Sequence, residues 1–203
     1  MPRRRLSPDE RRRVLLDAGA KLFADRPYDT VLMEDVAAEA GVSRALLYRH
    51  FPSKRDLFAA VYQLASEQLL VATTFDAEAP LVDQLAAGLD THFAYFEANA
   101  NSVLAANRVL ATDPSIQAII AGELGELRER VLDALRLEGP PRATVSAILT
   151  SWLTFVRVLT VEWLEHGTPT RAQMREISLG ALLGALGPVI DISGADSSGR
   201  PAS

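Results

Sequence analysis

Apolar residues recur three and four positions apart over most of the chain, which predicts helices. Ser7-Pro8-Asp9-Glu10 is a capping box with proline at the first helical position, and Val14, Leu15, Ala18 and Leu22 follow on one stripe until about Asp25, before Pro27. Residues 33–51 then read as two short helices around a tight turn. The first, residues 34–40, puts Val36, Ala37 and Ala40 on one face. Gly41 ends it, because glycine takes a left-handed backbone without steric cost. Val42 is expected in the core at the turn, and Ser43 as cap of the second helix, residues 44–51. Leu47 and Phe51 point inward there, leaving Arg44, Ala45, Tyr48, Arg49 and His50 on the other side. Ser53 opens a fourth helix whose apolar positions Leu57, Phe58, Val61, Leu64 and Ala65 continue through Leu69 to about residue 72.

No strand pattern stands out in the remainder. Residues 80–98 form a predicted helix with Leu85, Leu89, His92 and Phe96 on one face. Residues 99–102 break it, and a short helix runs over 103–110. Asp113-Pro114 is a cap and first-position pair that starts a helix to about residue 135. Gly139-Pro140-Pro141 stops and restarts the chain. The next helix, 142–165, is apolar on nearly every side, and residues 145–164 have the ~20-residue length of a membrane span. Arg157 and Glu162 inside it, with Ser146, Thr150, Ser151, Thr154 and Thr160, are costly in lipid, so the helix is read as buried in a core or subunit interface. Thr170-Arg171-Ala172-Gln173 is a second capping box. It opens a last helix with Ile177, Ala181 and Ala185 on a stripe beside Gly180 and Gly184, small residues that suit close helix approach. Gly187-Pro188 ends it, and 192–203 reads as a disordered tail.

The expected organisation is all-α: a basic arm at 1–6, a three-helix domain at 7–68 with its helix-turn-helix near 32–51, a long connecting helix, and a second helical domain at 69–191. Charge agrees in direction. Residues 1–60 hold 12 Lys/Arg against 9 Asp/Glu, a net of +3, and residues 61–203 hold 9 against 17, a net of −8. A basic end on an acidic body suits one face turned toward phosphate. The 203-residue chain has no cysteine, so no disulfide framework or thiolate metal site is available, which fits a reducing cytoplasm. No apolar run follows the basic residues 1–13, so no signal peptide is expected.

A helix–glycine turn–helix whose second helix carries hydrogen-bonding side chains is a DNA-reading arrangement. Arg3, Arg4 and Arg5 are either a solvated terminus or an arm that touches the minor groove or backbone. Catalytic alternatives find little support. His50, His92 and His166 form no H-E-x-x-H pair, and no nucleophile elbow, Walker loop or dinucleotide fingerprint appears. Glu162 and His166, four apart, could form a metal pair but read as a helix-end ion pair. No catalytic residue, metal or cofactor is expected.

Residues 11–62 resemble the tetracycline-repressor (TetR) family of transcription regulators. The resemblance rests on Ala20, Leu22 and Phe23, on Tyr28, on Val36-Ala37 with Ala40-Gly41-Val42-Ser43, and on Leu47-Tyr48, His50-Phe51, Lys54 and Leu57. It implies that Ser43, Arg44 and Ala45 face base edges, with Arg44 the candidate for guanine, whose O6 and N7 match its fork. Tyr48, His50 and Lys54 match phosphate-holding positions, and Arg49 shares their side. The plain alternatives are a packed Tyr48 with an exposed hydroxyl and a surface His50. Two departures stand out: Leu32 and Met33 replace a threonine that caps the second helix and touches a phosphate, and Ala45 replaces a common glycine.

The resemblance further implies a homodimer built on the last two helices, with Trp163, Ile177, Gly180, Ala181, Gly184 and Ala185 at the interface, and a palindromic operator. It also implies a small-molecule inducer among the central helices. His92, Phe96, Asn99, Asn107, Trp152, Phe155 and Arg157 are candidates for the pocket, each with a purely structural alternative: core packing, a satisfied histidine, an ion pair. The expected function is a cytoplasmic, sequence-specific repressor released by a largely apolar ligand. The alternative is a DNA-binding regulator without such a ligand, controlled by a protein partner, activating or architectural.

Overall fold

Helix signals in the sequence reappear as specific hydrogen bonds. Ser7 Oγ accepts from the Glu10 N–H at 3.1 Å and the Glu10 carboxylate accepts from the Ser7 N–H at 2.6 Å, closing the box that opens α1 (Pro8–Asp25). After it come α2 (Met33–Glu39), α3 (Arg44–His50), α4 (Lys54–Ala72), α5 (Leu81–Ala98), α6 (Ala100–Leu104), α7 (Pro114–Ala134), α8 (Gly139–His166) and α9 (Arg171–Leu186). The computed structural model describes residues 7–73 and 79–190, and among them the secondary structure is entirely helical. The predicted arm at 1–6 and tail at 192–203 lie outside the described residues.

The chain divides into two compact units. The first comprises Met1–Glu67 and Ala98–Ile119, the second Gln68–Glu97 and Ile120–Ser203. The first unit therefore includes α6 and the start of α7, which the sequence reading gave to the C-terminal domain. Its core is aromatic. Phe58 is fully buried, meets Phe23 edge-on at 5.0 Å and Tyr28 at 5.2 Å, and stacks on Tyr62 at 5.8 Å. Leu15, Leu47 and Leu57 of the same unit are also fully buried. α1 approaches α4 closely at Gly19, where a Cβ would come within 3.1 Å of Val61 Cγ2. Asn101 Nδ2 donates to the Ala24 carbonyl at 2.8 Å, tying α6 to the end of α1. Asp113 caps α7 by accepting from the Ser115 and Ile116 N–H groups at 2.9 and 3.2 Å.

Three expectations shift here. Val42 is half-buried at the turn rather than in the core. Leu64 and Ala65 are half-buried, while Tyr62 and Ser66 take the buried positions of α4. The expected break over 99–102 narrows to Asn99. The chain is helical again from Ala100, then widens into a π turn at Ala105–Val109.

In the second unit, Phe93 is fully buried and meets Trp163 edge-on at 6.1 Å, within a cluster that includes Leu89, Leu149, Met174, Leu182 and Leu186. The Arg130 guanidinium donates to the carbonyls of Leu70 and, at 2.9 Å, Thr73, satisfying acceptors that the end of α4 leaves free. α8 is long and apolar enough by composition to cross a membrane, but its residues divide. Val145, Leu149, Trp152, Leu153, Val161 and Trp163 enter the core, while Thr150, Ser151 and Thr154 stay exposed. α9 opens on its capping box, with Thr170 Oγ1 accepting from the Gln173 N–H at 3.3 Å and Gln173 Oε1 from the Thr170 N–H at 2.9 Å.

Candidate nucleic-acid interface and internal cavity

α3 is built to be held at one point and exposed elsewhere. Gly41, at φ +63°, makes the turn that lets α2 and α3 cross. Ser43 Oγ accepts from the Leu46 N–H at 3.3 Å and starts the helix. Leu47 is the one residue of α3 that is buried, and Phe51 anchors the helix end. Ser43, Arg44, Ala45, Tyr48 and Arg49 are exposed on a common surface, and His50 is half-buried with its ring 6.5 Å from that of Phe51.

Two predicted contacts already have partners within the chain. Arg44 forms an ion pair with Glu34 of α2, which holds its guanidinium beside the turn. Lys54 Nζ donates to the Tyr28 carbonyl at 2.9 Å and lies 4.4 Å from the centre of the Tyr28 ring, a cation–π contact that pins the short turn at Tyr28–Thr30. Spacing gave no signal for that turn, but Tyr28 and Lys54 were both residues of the resemblance. Arg12 lies 5.2 Å from the centre of the Phe51 ring and was not singled out by sequence. Leu32, 55% exposed, precedes α2 without a side-chain cap, as its apolar side chain requires. Arg3, Arg4 and Arg5 fall outside the described residues.

The second unit holds an apolar cavity that opens to solvent, with about 70 Å³ of room for the centres of water-sized molecules. α5, α7 and α8 supply most of its wall, and Thr73 contributes from just beyond α4. His92, Phe96, Trp152 and Arg157, four of the pocket candidates named from sequence, line it. Asn99, Asn107 and Phe155 do not. Asn99 and Asn107 belong to the first unit, and Asn107 Nδ2 donates to the Val103 carbonyl of its own helix at 2.7 Å. Phe155 sits 40% exposed on the outer side of α8. Trp152 Nε1 donates to the Ser178 carbonyl at 2.7 Å, so its polar edge joins α8 to α9 while its rings face the cavity cluster.

Sequence reading missed Glu123, only 5% exposed and on the cavity wall. Its signal was present: Glu123 stands in register with the apolar stripe Ile116, Ile120, Leu127 and Val131 of α7. His92 Nδ1 lies 2.9 Å from the Gly88 carbonyl, an acceptor, so Nδ1 carries the hydrogen and Nε2 the lone pair. Burial pushes the His92 pKa below its ordinary value, opposed by the Gly88 bond and the Glu123 charge. Its Nε2 is buried with no hydrogen-bond partner among the described residues.

On α9, Met174, Ser178, Leu182 and Leu186 face the core, so Ile177, Gly180, Ala181, Gly184 and Ala185 face outward. A Cβ at Gly180 or Gly184 would meet nothing within 4 Å. On α8, Phe155 and Val158, the latter 57% exposed, are also uncovered. Trp163 does not belong to this outer surface: it is 7% exposed and packed on Phe93, because its position on α8 turns it inward. Glu162, Glu165 and His166 lie near one another but are all exposed, and His166 Nδ1 is 2.9 Å from the Glu162 carbonyl and 3.6 Å from its carboxylate, a helix-end pair.

Comparisons with known proteins bear on both units. Residues 15–61 match the family described as bacterial regulatory proteins, tetR family. The chain is 28% identical over 173 residues, 81% of its length and 77% of the relative's, to the HTH-type transcriptional activator FasR of Mycolicibacterium smegmatis. It is 40% identical over 60 residues, 30% of each chain, to the nucleoid occlusion factor SlmA of Shewanella pealeana. A tetR-family transcriptional regulator from Streptomyces coelicolor superposes with a TM-score of 0.83 at 22% identity, covering 94% of this chain and 88% of that one. The transcriptional regulator FadR of Bacillus subtilis, solved in complex with stearoyl-CoA, has a TM-score of 0.65 at 17% identity, covering 85% and 98%. The helix-turn-helix region, residues 15–61, thus matches the TetR family of DNA-binding transcriptional regulators, and the fold of such regulators extends over nearly the whole chain.

Proposed function

We propose that the protein is a homodimeric, cytoplasmic regulator that binds a palindromic operator and leaves it when a largely apolar small molecule enters the cavity of the second unit. The cavity carries this reading: a space walled by Leu85, Leu89, Leu127, Trp152 and Leu153 in a protein with this fold is suited to an apolar effector. The stearoyl-CoA held by FadR supports an effector with a long hydrocarbon part. The exposed residues Phe155, Val158, Ile177, Gly180, Ala181, Gly184 and Ala185 support pairing of two subunits through α8 and α9. Arg44 is assigned to a guanine, Ser43 and Ala45 to neighbouring base edges, and Tyr48, Arg49, His50 and Lys54 to phosphates, with Arg3, Arg4 and Arg5 as an arm.

Repression follows where the operator overlaps a promoter. Activation is the second reading, favoured by one observation: FasR, the relative matched over most of its length, is an activator. Selecting bound fragments from sheared genomic DNA at near-physiological salt tests the proposal, since sequence-blind phosphate binding is weak there. Recovered fragments should share an inverted repeat, and stearoyl-CoA or another long-chain compound should release them. Diffuse recovery without a common repeat refutes the operator reading.

A further inference from the structure

The cavity wall is mostly apolar, and its polar side chains among the described residues include Thr73, His92, Glu123 and Arg157. His92 and Glu123 lie on its wall, and the Glu123 charge acts on His92. With Nδ1 bonded to the Gly88 carbonyl, His92 presents only an acceptor at Nε2, and that atom is buried and unpartnered among the described residues. Buried acceptors without a partner are uncommon in native proteins and call for an explanation. Glu123 adds negative charge close by. Arg157, the one Arg or Lys on the wall among the described residues, is already engaged within the chain.

We propose that the cavity selects its effector by a hydrogen-bond donor: the ligand is an apolar molecule ending in an uncharged hydroxyl that donates to His92 Nε2, and Glu123 disfavours carboxylates of the same shape. The inference rests on the effector reading given above and names the chemistry of that site. Nε2 is buried, and Phe96, half-buried with its ring edge-on to His92 at 5.8 Å, neighbours it on the same wall. Donor recognition of this kind discriminates strongly, because a ligand lacking the donor leaves the buried acceptor unpaired.

The test uses the full-length protein with N-phenyl-1-naphthylamine as a fluorescent reporter of the cavity. Three competitors of similar length displace it: 1-decanol, methyl nonyl ether and decanoate. The alcohol and ether have the same number of heavy atoms and differ in the donor. Decanol should displace the probe roughly tenfold better than the ether, the factor expected for one buried neutral hydrogen bond. That ratio should collapse in His92→Leu, and decanoate should gain in Glu123→Gln. Equal displacement by alcohol and ether in the unaltered protein overturns donor selection but leaves an effector cavity standing. Strongest displacement by decanoate overturns it too and moves recognition to Arg157. Failure of the probe and all three competitors to bind removes the effector reading itself and this inference with it. The wild-type ratio decides the matter even where His92→Leu does not fold.

Discussion

The two units place polar and apolar groups in opposite ways. In the first, the interior is aromatic and aliphatic, and its buried carboxylate is fully partnered. Asp113 caps α7 with one oxygen and takes Arg55 at 3.1 Å with the other. The exposed side of α3 is polar. In the second, Glu123 is as deeply buried as Asp113, yet no cation pairs with it among the described residues. His92 Nε2 and Ser178 Oγ are buried without partners there, while Phe155, Val158 and Ile177 face outward. A fold completed by its own contacts has the first pattern. The second is what a unit shows when a ligand and another subunit supply the missing contacts. Under the proposed function, the second unit is the one whose missing contacts a ligand and another subunit would supply.

The most severe test of this contrast is at the centre of the first unit. Phe58→Ala removes a fully buried ring that touches Phe23, Tyr28 and Tyr62 and should cost about 3–5 kcal/mol, read by denaturant unfolding. A cost below 1 kcal/mol would show that this core is not what holds α3. The corresponding test of the second unit acts outside the monomer. Val158→Arg combined with Ile177→Arg alters exposed positions, so helicity by circular dichroism should be unchanged while sedimentation shifts from dimer to monomer. Operator affinity should then fall by more than roughly tenfold as the second half-site is lost. A dimer that survives both charges places the interface elsewhere.

Legibility in the sequence follows the same division. α1 to α4 were readable because each boundary has a local cause: the box at Ser7 and Glu10, Gly41 in a left-handed conformation, the caps at Ser43 and Ser53. The outward side of α3 followed from Leu47 and Phe51 alone. In the second unit the helices were legible but the cavity only in part. His92 and Phe96 lie on the predicted face of α5, and Trp152 and Arg157 interrupt an apolar helix, so four of the candidates reach the wall. Asn99 and Asn107 were chosen for polarity near a break, which says nothing about the direction in which a chain turns back into the other unit. Trp163 and Phe155 were exchanged in effect, the first buried and the second exposed, because a helix apolar on all sides carries no periodicity to orient it. Lys54 shows a different limit: its bond to the Tyr28 carbonyl joins residues 26 apart in sequence, and no local pattern records it.

At the DNA surface a smaller effect should appear. Arg44→Ala should cost about 1–3 kcal/mol at one base pair and relax preference there, measured by binding to operators varied at each position. Glu34→Gln sharpens the point, since it frees Arg44 from its ion pair without removing the guanidinium. Tighter binding with unchanged sequence preference is expected. Unchanged preference in Arg44→Ala would remove its base-reading assignment. The two buried carboxylates should differ next. Asp113→Ala removes a cap and should destabilise by about 1 kcal/mol, whereas Glu123→Gln, which removes an unpaired buried charge, should leave stability equal or higher. A loss for Glu123→Gln as large as that for Asp113→Ala would erase the distinction between the units.

The smallest effect is a pH dependence that belongs to the second unit alone. Burial holds the His92 pKa below its ordinary value of 6.5, against the raising influence of the Gly88 carbonyl and Glu123. Between the folded and unfolded values the unfolded chain binds the proton and the folded chain does not. Stability contributed by His92 is therefore complete above the unfolded value and declines as pH falls through it, levelling off only once the folded imidazole also protonates. Glu123 and Arg157 are the charged groups that share the cavity wall with His92. Melting temperature followed from pH 7.5 to 5.5 should fall, and the part due to His92 should vanish in His92→Phe. A hydroxyl-bearing ligand donating to Nε2 requires the neutral ring, so bound decanol should steepen the decline in the unaltered protein and leave His92→Phe unaffected. An identical pH slope with and without decanol would separate the titration of His92 from ligand recognition and confine the residue to a structural role.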